Sequence, residues 1–178
     1  MVGPSGRQQG VTQMDIFGNR FSMLNGKPKA AGIRIQDIGA DGIVREFISA
    51  YNCVGSDLVK GQVITIDYDQ TYHCKAIANA TTGSEVYKLT GAPQTPVSTG
   101  ALWWFQIGGK GKALVDGTAE DVAAGEALEV LNTGTAFIKA GAARELATGA
   151  IAGEAQAANS AVLIDVEFIP ERHSIEAA

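Results

Sequence analysis

Residues 57–66 read DLVKGQVITI, and residues 121–130 read DVAAGEALEV. Each segment begins with Asp and an aliphatic residue, passes through two variable positions to Gly and then Gln or Glu, and ends in an alternating apolar stretch. The two segments align without a gap. One short chain therefore contains the same local pattern twice.

The first half of the pattern is typical of a tight turn. Aspartate can accept hydrogen bonds from nearby backbone N–H groups, and a glycine four residues later can take a positive φ. The second half predicts a β-strand, because apolar residues alternate with others at a period of two. We expect Ile64 and Ile66 to be buried in one copy, and Leu128 and Val130 in the other. A repeated turn and strand indicates scaffold rather than chemistry.

Similar strand patterns continue on both sides of the repeat. Short runs such as IRIQDIG, GIVREFIS and AVLIDVEFIP are rich in β-branched residues and are separated by Gly, Asn, Pro or Thr. The chain has 22 glycines and only 19% charged residues, which favours many turns over many amphipathic helices. We predict an all-β fold, an antiparallel β-sandwich or barrel of about eight to ten short strands. Residues 142–146 (AAREL) should form at most a short turn of helix, because glycines interrupt this region.

The chain divides into an extended N-terminal arm, residues 1–29, and a β-rich body, residues 30–178. The arm has no sustained period, five glycines and two prolines, yet it is too apolar for a segment that stays solvated. Its large side chains need a surface, either on the chain's own body or on a neighbouring subunit, and the sequence leaves both open.

Three adjacent aromatic residues form the most conspicuous apolar cluster of the body. In a strand, Trp103 and Phe105 share one face and Trp104 points to the other, so both faces need cover. One face is the core, and the other packs on a second sheet, on the arm or on another subunit. The residues that we predict for subunit or capsid contact are Arg7, Met14, Ile16, Phe17, Arg20, Phe21, Leu24, Trp103 and Trp104.

The sequence offers no convincing catalytic group. His73 and Cys74 are neighbours in a predicted strand, so their side chains point to opposite faces and cannot form a nucleophile and base pair. His173 lies in a tail, and no glycine-flanked nucleophile turn accompanies a cysteine. Cys53 and Cys74 are predicted to be buried free thiols, since their spacing fits neither a disulfide framework nor a zinc site.

Two polar stretches could be mistaken for ligand sites. Residues 108–113 (GGKGKA) lack the Ser or Thr of a phosphate loop and open no helix, so we predict a β-turn with two exposed lysines. Asp116, Glu120 and Asp121 lack the alternating spacing of a metal loop and are expected to be solvated turn carboxylates. We expect no cofactor and no metal.

Charge and hydropathy exclude further classes of protein. The net charge is −5 and the basic residues are scattered, which argues against binding nucleic acid through its phosphates. No run of about eighteen apolar residues and no charged leader with an apolar stretch is present, so we expect neither a membrane span nor a signal peptide. We expect the chain to be made in a cytosol.

Four segments in a fixed order carry a resemblance. The segments VKGQVITID (59–67), YHCKAIANATTGSEVYK (72–88), ALWWFQIGGKGKALVDGTAEDVAAGEALEVLNTGTAFIKAG (101–141) and VLIDVEFIPE (162–171) resemble the small head proteins of tailed bacteriophages, the capsid decoration or cement proteins. The resemblance covers roughly residues 54–170 and lies in Gly- and Ala-rich strands, a vaaGeaL turn and a VLIDVEF terminal strand.

The resemblance implies a structural virion protein without enzymatic activity. Such proteins bind the outer face of the shell, often as trimers, and strengthen it against the pressure of the packaged DNA. The implied partners are the major capsid protein and further copies of this chain, and the implied location is the capsid surface. No individual binding residue carries over from the family.

Other classes of protein stay open at this point. A small capsid protein or a tail component is nearest in kind, and an enzyme of unrecognised type remains possible. A lipoyl or biotinyl carrier uses related strands, but it needs a lysine on a protruding hairpin beside a methionine or similar partner, which the sequence lacks between its two repeats.

Overall fold

A computed structural model describes residues 12–14, 20–22, 27–39, 41–68, 74–77, 89–130, 134–141, 149–157 and 160–169. These residues form twelve strands and no helix. The strands are β1 (Thr12–Met14), β2 (Arg20–Ser22), β3 (Arg34–Ile38), β4 (Val44–Asn52), β5 (Ile64–Tyr68), β6 (Cys74–Ile77), β7 (Leu89–Gly91), β8 (Leu102–Asp116), β9 (Ala127–Val130), β10 (Phe137–Lys139), β11 (Ala150–Ala152) and β12 (Ala161–Phe168).

The all-β prediction is confirmed, and the ten strands from β3 to β12 form one connected sheet. Most pairs are antiparallel, but β4 pairs with β6 and β8 pairs with β10 in parallel. In the arm, β1 and β2 pair antiparallel, and β1 lies beside β3. The short helical turn predicted for residues 142–146 falls outside the described residues.

The first half of the body closes into a five-stranded barrel. Strand β4 pairs with β6, β6 with β5, and β5 with β7. Just after β7, Ala92 and Gln106 exchange two backbone hydrogen bonds of 3.0 and 2.9 Å, which join β7 to β8. The first half of β8 then pairs with β4 from Tyr51–Leu102 to Glu46–Gly108 and completes the ring. We call this the first barrel.

The second half of the body repeats the same ring. Strand β8 continues past Gly108 and pairs with β10 in parallel, β10 pairs with β9, β9 with β11, and β11 with β12. Strand β12 returns to β8 over eight pairs, from Ala161–Asp116 to Phe168–Gly109. This second barrel has the connectivity of the first, and β8 belongs to both.

Each barrel has its own apolar core. The first core contains Ile48, Ala50, Leu58, Ile64, Ile66, Ala76, Leu89, Val97, Phe105 and Ile107. The second contains Val63, Ala92, Ala113, Val115, Val122, Leu128, Phe137, Ala150, Ala152, Ile164, Val166 and Phe168. Val63 and Ala92 precede and follow strands of the first barrel but pack in the second core, so the barrels share packed surface.

The alternation predicted for the repeated strands is correct in part. Ile64, Ile66 and Leu128 are fully buried, and Val130 is half-buried against the second core. In the first copy, Val63 and Thr65 are buried as well, and Val63 packs in the core of the second barrel. The difference between the copies therefore comes from their neighbours.

The β-turn predicted for residues 108–113 is wrong, because β8 runs through this region as one 15-residue strand. Within this strand Gly109 has a φ of +74°. The buried Gln106 amide donates hydrogen bonds to the carbonyl oxygens of Gly108, Gly109 and Lys110. These bonds lie next to the register shift between Glu46 and Phe47 in the pairing of β4 with β8.

Candidate interaction surfaces

The repeated turns predicted from the sequence occupy equivalent places in the two barrels. Gly61 and Gly125 have φ values of +76° and +86°, as predicted. In each turn the residue after the glycine closes the turn with both its backbone and its side chain. Gln62 N donates to Val59 O and its Oε1 accepts from Val59 N, while Glu126 N donates to Ala123 O and its Oε2 accepts from Ala123 N.

The first aspartate of the repeat was predicted to bond backbone N–H groups of its own turn, but its hydrogen bond reaches a distant segment. Asp57 accepts a hydrogen bond of 2.8 Å from the N–H of Thr99, which lies 42 residues away along the chain. The isolated bridges explain this arrangement. Leu58 pairs with Val97 in the first barrel and Val122 pairs with Gln156 in the second, so each turn begins beside a distant segment.

A further copy of the turn, at residues 30–33, precedes β3. Gly32 has a φ of +83°, and Ile33 lies one residue after it, as Gln62 follows Gly61. Here the Ser49 hydroxyl is inserted into the turn. Ile33 N donates to Ser49 Oγ at 2.9 Å, and Ser49 Oγ donates to Ala30 O at 2.7 Å. The serine thereby replaces the direct backbone bond that closes the other two turns.

We name these segments the first turn (residues 30–33), the second turn (residues 59–62) and the third turn (residues 123–126). The first turn lies on the first barrel, where Ser49 N donates to Ile33 O at 2.9 Å. The second turn lies on the second barrel, where Leu114 N donates to Gly61 O at 2.8 Å. In both cases a turn contacts the first strand of the barrel that follows it in the chain.

The second turn fits closely against its barrel. A Cβ atom at Gly61 would collide with Leu163 Cδ1 and lie 3.2 Å from the Ala113 Cα. The third turn differs, because a Cβ at Gly125 would have no atom within 4 Å. Ala123, Ala124 and Gly125 are all exposed. Gly61 is therefore buried against the second barrel, whereas its equivalent Gly125 faces solvent.

The tryptophans lie as predicted on opposite faces of β8. Phe105 belongs to the first core, and Trp103 packs against that core from the same face. Trp103 Nε1 donates a hydrogen bond to Thr95 Oγ1 at 2.9 Å. Trp104 is half-buried on the outer face, opposite Ser49 in the pairing with β4. Trp103 thus has an intramolecular role, and a contact role for both residues stays a prediction.

The predicted contact residues of the arm are described only in part. Met14 lies in β1, and Arg20 and Phe21 lie in β2. The structure describes the backbone of these strands, which form a hairpin near the body. Four further predicted residues fall outside the described residues: Arg7, Ile16, Phe17 and Leu24.

Exposed apolar side chains mark other parts of the surface. Ile38 is 62% exposed and Val44 is 49% exposed, and the two are paired at the tip of the β3–β4 hairpin. Tyr51, Val59 and Val162 are also exposed. The hairpin pair was not predicted, although the apolar residues that flank the Gly39 to Gly42 segment are visible in the sequence.

A cleft of about 900 Å³ runs from the β3–β4 hairpin to the outer wall of the second barrel. On its hairpin side, Asp37 is only 9% exposed, and its Oδ1 has no hydrogen-bond partner. Arg45 lies opposite Asp37 in the β3–β4 register, but its guanidinium pairs with Asp41 at 2.5 Å and donates from Nε to Lys110 O. Burial raises the pKa of Asp37, Arg45 opposes the rise, and Asp41 adds to it.

An ion pair lies on the second-barrel side of the cleft. Lys112 Nζ lies 2.7 Å from Asp165 Oδ1 and 4.0 Å from Glu154 Oε1, and the bond to Asp165 raises the pKa of the lysine. These side chains are largely exposed, so the pair contributes little to stability.

Of the three predicted turn carboxylates, Glu120 and Asp121 are exposed, whereas Asp116 is the last residue of β8 and is half-buried. Asp116 accepts from the Thr118 hydroxyl and from Thr118 N, and these two bonds lower its pKa. Lys139 Nζ lies 2.7 Å from Glu120 and 2.9 Å from Glu126. Within the described ranges, no three His, Cys, Asp or Glu side chains are grouped to hold a metal ion.

The prediction of buried thiols is wrong for Cys53, which is an exposed free cysteine just after β4 ends. Asn52 takes the buried position instead. Its Nδ2 donates to Val97 O and Ser56 O, and its Oδ1 accepts from Val54 N. Cys74 begins β6, while His73 falls outside the described residues.

Comparison of the chain with protein-family models, with curated proteins and with solved structures gives no match. No helix of the described segments is long and apolar enough to cross a membrane.

Proposed function

We propose that the protein is a structural component of a bacteriophage head that binds the outer surface of the capsid shell and stabilises it, without enzymatic activity. The observation that carries the proposal is the order of strand sequences over residues 54–170, which resembles the capsid decoration proteins. Where the structure describes residues 54–170, they form strands β5 to β12 and the two repeated turns.

The architecture supports a mechanical role. In each barrel every strand has a hydrogen-bonded neighbour on both sides, and the barrels share the continuous strand β8 and packed side chains. A load on one barrel is therefore transmitted to the other through backbone hydrogen bonds and close-packed cores. A protein that strengthens a shell needs such a body between its attachment points.

The surface supports association with other subunits. Ile38 and Val44 form an exposed apolar pair, and Trp104 adds a half-buried aromatic on another face. We propose that the protein forms a homotrimer and that its main partner is the major capsid protein. Aromatic and aliphatic anchors are the side chains that carry most binding energy in such contacts.

The arm is proposed to contribute to these contacts. Residues 1–29 hold four basic residues and one acidic residue, so the remaining 149 residues hold ten basic and eighteen acidic ones. A basic arm and an acidic body attract each other between subunits as well as within one. Ordering the arm costs roughly 1–2 kcal/mol per residue in backbone entropy, which its apolar anchors must offset.

Binding to isolated shells tests the proposal. Shells assembled from the major capsid protein of the encoding phage, without this protein, are mixed with the purified chain and sedimented. We expect saturable binding and a higher temperature of shell disruption. Deletion of residues 1–26 should leave the body folded and weaken binding. Sedimentation of the full chain apart from the shells would contradict the proposed function.

A further inference from the structure

The cleft between the β3–β4 hairpin and the second barrel contains a buried polar atom without a partner. Asp37 lines the cleft and is 9% exposed, and its Oδ1 has no hydrogen-bond partner within the described residues. A buried carboxylate oxygen without a donor costs the folded chain free energy, because it has lost water and gained no hydrogen bond. In a cleft that is open to solvent, such an atom indicates a ligand that supplies the missing donor.

The cations of the chain that are half-buried in this cleft are engaged elsewhere. Arg45 lies opposite Asp37 in the β3–β4 register, but its guanidinium pairs with Asp41 at 2.5 Å. Lys112, on the second-barrel side, lies 2.7 Å from Asp165. Both cations therefore have other acceptors, and the direct donor to Asp37 has to come from outside the described part of the chain.

The chemistry of the cleft favours a basic side chain as the ligand. A cation forms a stronger hydrogen bond with a carboxylate than a neutral donor does, and arginine is the cation best suited to a buried pair. Ile43 and Phe47 line the same cleft and offer apolar surface to the aliphatic stem of such a side chain. The volume of about 900 Å³ also leaves room for the segment that carries it.

The N-terminal arm contains a segment of the right charge. Residues 1–11 lie outside the described residues, and Arg7 is their only charged side chain. They precede β1, which lies beside β3, the strand that carries Asp37. Eleven extended residues span roughly 36 Å, which is long enough to reach from one copy to a neighbour. The arm is basic and the body is acidic, so charge favours this approach.

We propose that the cleft receives Arg7 of a second copy of this chain, whose guanidinium donates to Asp37 Oδ1. The inference rests on the proposed self-association and names a contact that carries it. Each copy gives one arm and receives another, and such a head-to-tail contact closes into a ring such as a trimer. Association then turns a carboxylate that destabilises the single chain into one half of a buried ion pair.

Neutral variants of the full chain test the inference. Arg7→Gln removes the cation, and Asp37→Asn removes the anion with little change of size. We expect each to self-associate about tenfold more weakly or worse, because a buried hydrogen bond between charged groups is lost. The double variant should be no weaker than either single one. The control is Glu167→Gln, which removes the same charge from an exposed position on the other side of the cleft and should associate as the parent does.

Self-association is measured by sedimentation velocity over a range of concentrations, and folding by the midpoint of thermal unfolding of the dilute chain. If Asp37→Asn associates as tightly as the parent, or if Glu167→Gln is weakened equally, the contact is wrong while the proposed homotrimer stands. If only Asp37→Asn weakens association, Arg7 is not the occupant and the inference is wrong. If the parent stays monomeric, the inference and the homotrimer both fail, while co-sedimentation with shells still decides whether the chain binds a capsid.

Discussion

Gly61 and Gly125 adopt the same backbone conformation in two different surroundings. Both take a positive φ that an L-residue adopts at a cost of roughly 1–2 kcal/mol. Only Gly61 is also needed for space, because Leu163 and the Ala113 backbone lie against it. The positive φ was predictable from the aspartate-to-glycine spacing. The close approach was not, since it depends on a barrel that forms about fifty residues later in the chain.

Alanine at the two glycines separates these effects. Gly125→Ala should lower the free energy of unfolding by about 1–2 kcal/mol through backbone strain alone. Gly61→Ala adds a collision with packed atoms, for which overpacking costs about 1–3 kcal/mol more. Urea denaturation of the two variants measures the difference. Equal losses would mean that the second turn is not packed between the barrels.

Asp37 gives a prediction for pH. Burial raises the pKa of this carboxyl above its ordinary value of 3.8, so the folded chain binds its proton more tightly than the unfolded chain does. The ionised group therefore lowers the free energy of unfolding above the folded pKa, and this cost disappears as the pH falls below 3.8. Asp37→Asn should stabilise the protein at pH 7 and give no gain at about pH 3.

The measurement is the unfolding free energy of the parent and of Asp37→Asn at both pH values. Asp41→Asn is the comparison with the opposite sign, because hydrogen bonds from Arg45 lower the pKa of Asp41. A carboxyl of that kind stabilises the folded chain at neutral pH and loses this effect in acid. Equal stability of the parent and Asp37→Asn at pH 7 would contradict the account of a buried carboxylate without a partner.

At the scale of elements, the positions of the strands were largely predictable from the sequence, but the continuity of β8 through both barrels was not. Period-two alternation located most strands from Arg34 onwards, and the gapless repeat indicated equal strand entry into the sheet. The continuity of β8 was missed because Gly108 to Gly111 look like a turn in isolation. The Gln106 side chain donates hydrogen bonds to the carbonyls of this segment, and sequence periodicity does not report such a contact.

The shared strand predicts that the two barrels unfold together. Separation would break the pairing of β8 in one barrel or the other and expose Val63 and Ala92 from the second core. Both tryptophans lie in the half of β8 that pairs with β4, so their fluorescence reports the first barrel, whereas far-UV circular dichroism reports all strands. We expect the two probes to give coincident urea transitions. Two separated transitions would show that the barrels are independent units.

At the scale of the whole molecule, the two barrels follow one another along the chain, and no further barrel follows the third turn in the described residues. Residues 1–29 have a net positive charge, and the rest of the chain has a net negative charge. The sequence predicted the all-β class and part of the repeat, and the division into arm and body stays a prediction. The first turn, before β3, was not predicted, because Ile33 stands where the other turns have Gln or Glu. The Ser49 hydroxyl replaces the backbone hydrogen bond that closes the other two turns. The contact residues on the arm and on β8 stay predictions.

The number and position of copies in purified phage particles test the central claim most directly. Quantitative mass spectrometry gives the ratio of this chain to the major capsid protein, and electron microscopy with an antibody to the body gives its position. A decoration protein predicts many copies spread over the outer shell. A few copies confined to one vertex would indicate a tail component, and absence from the particle would contradict a structural virion role.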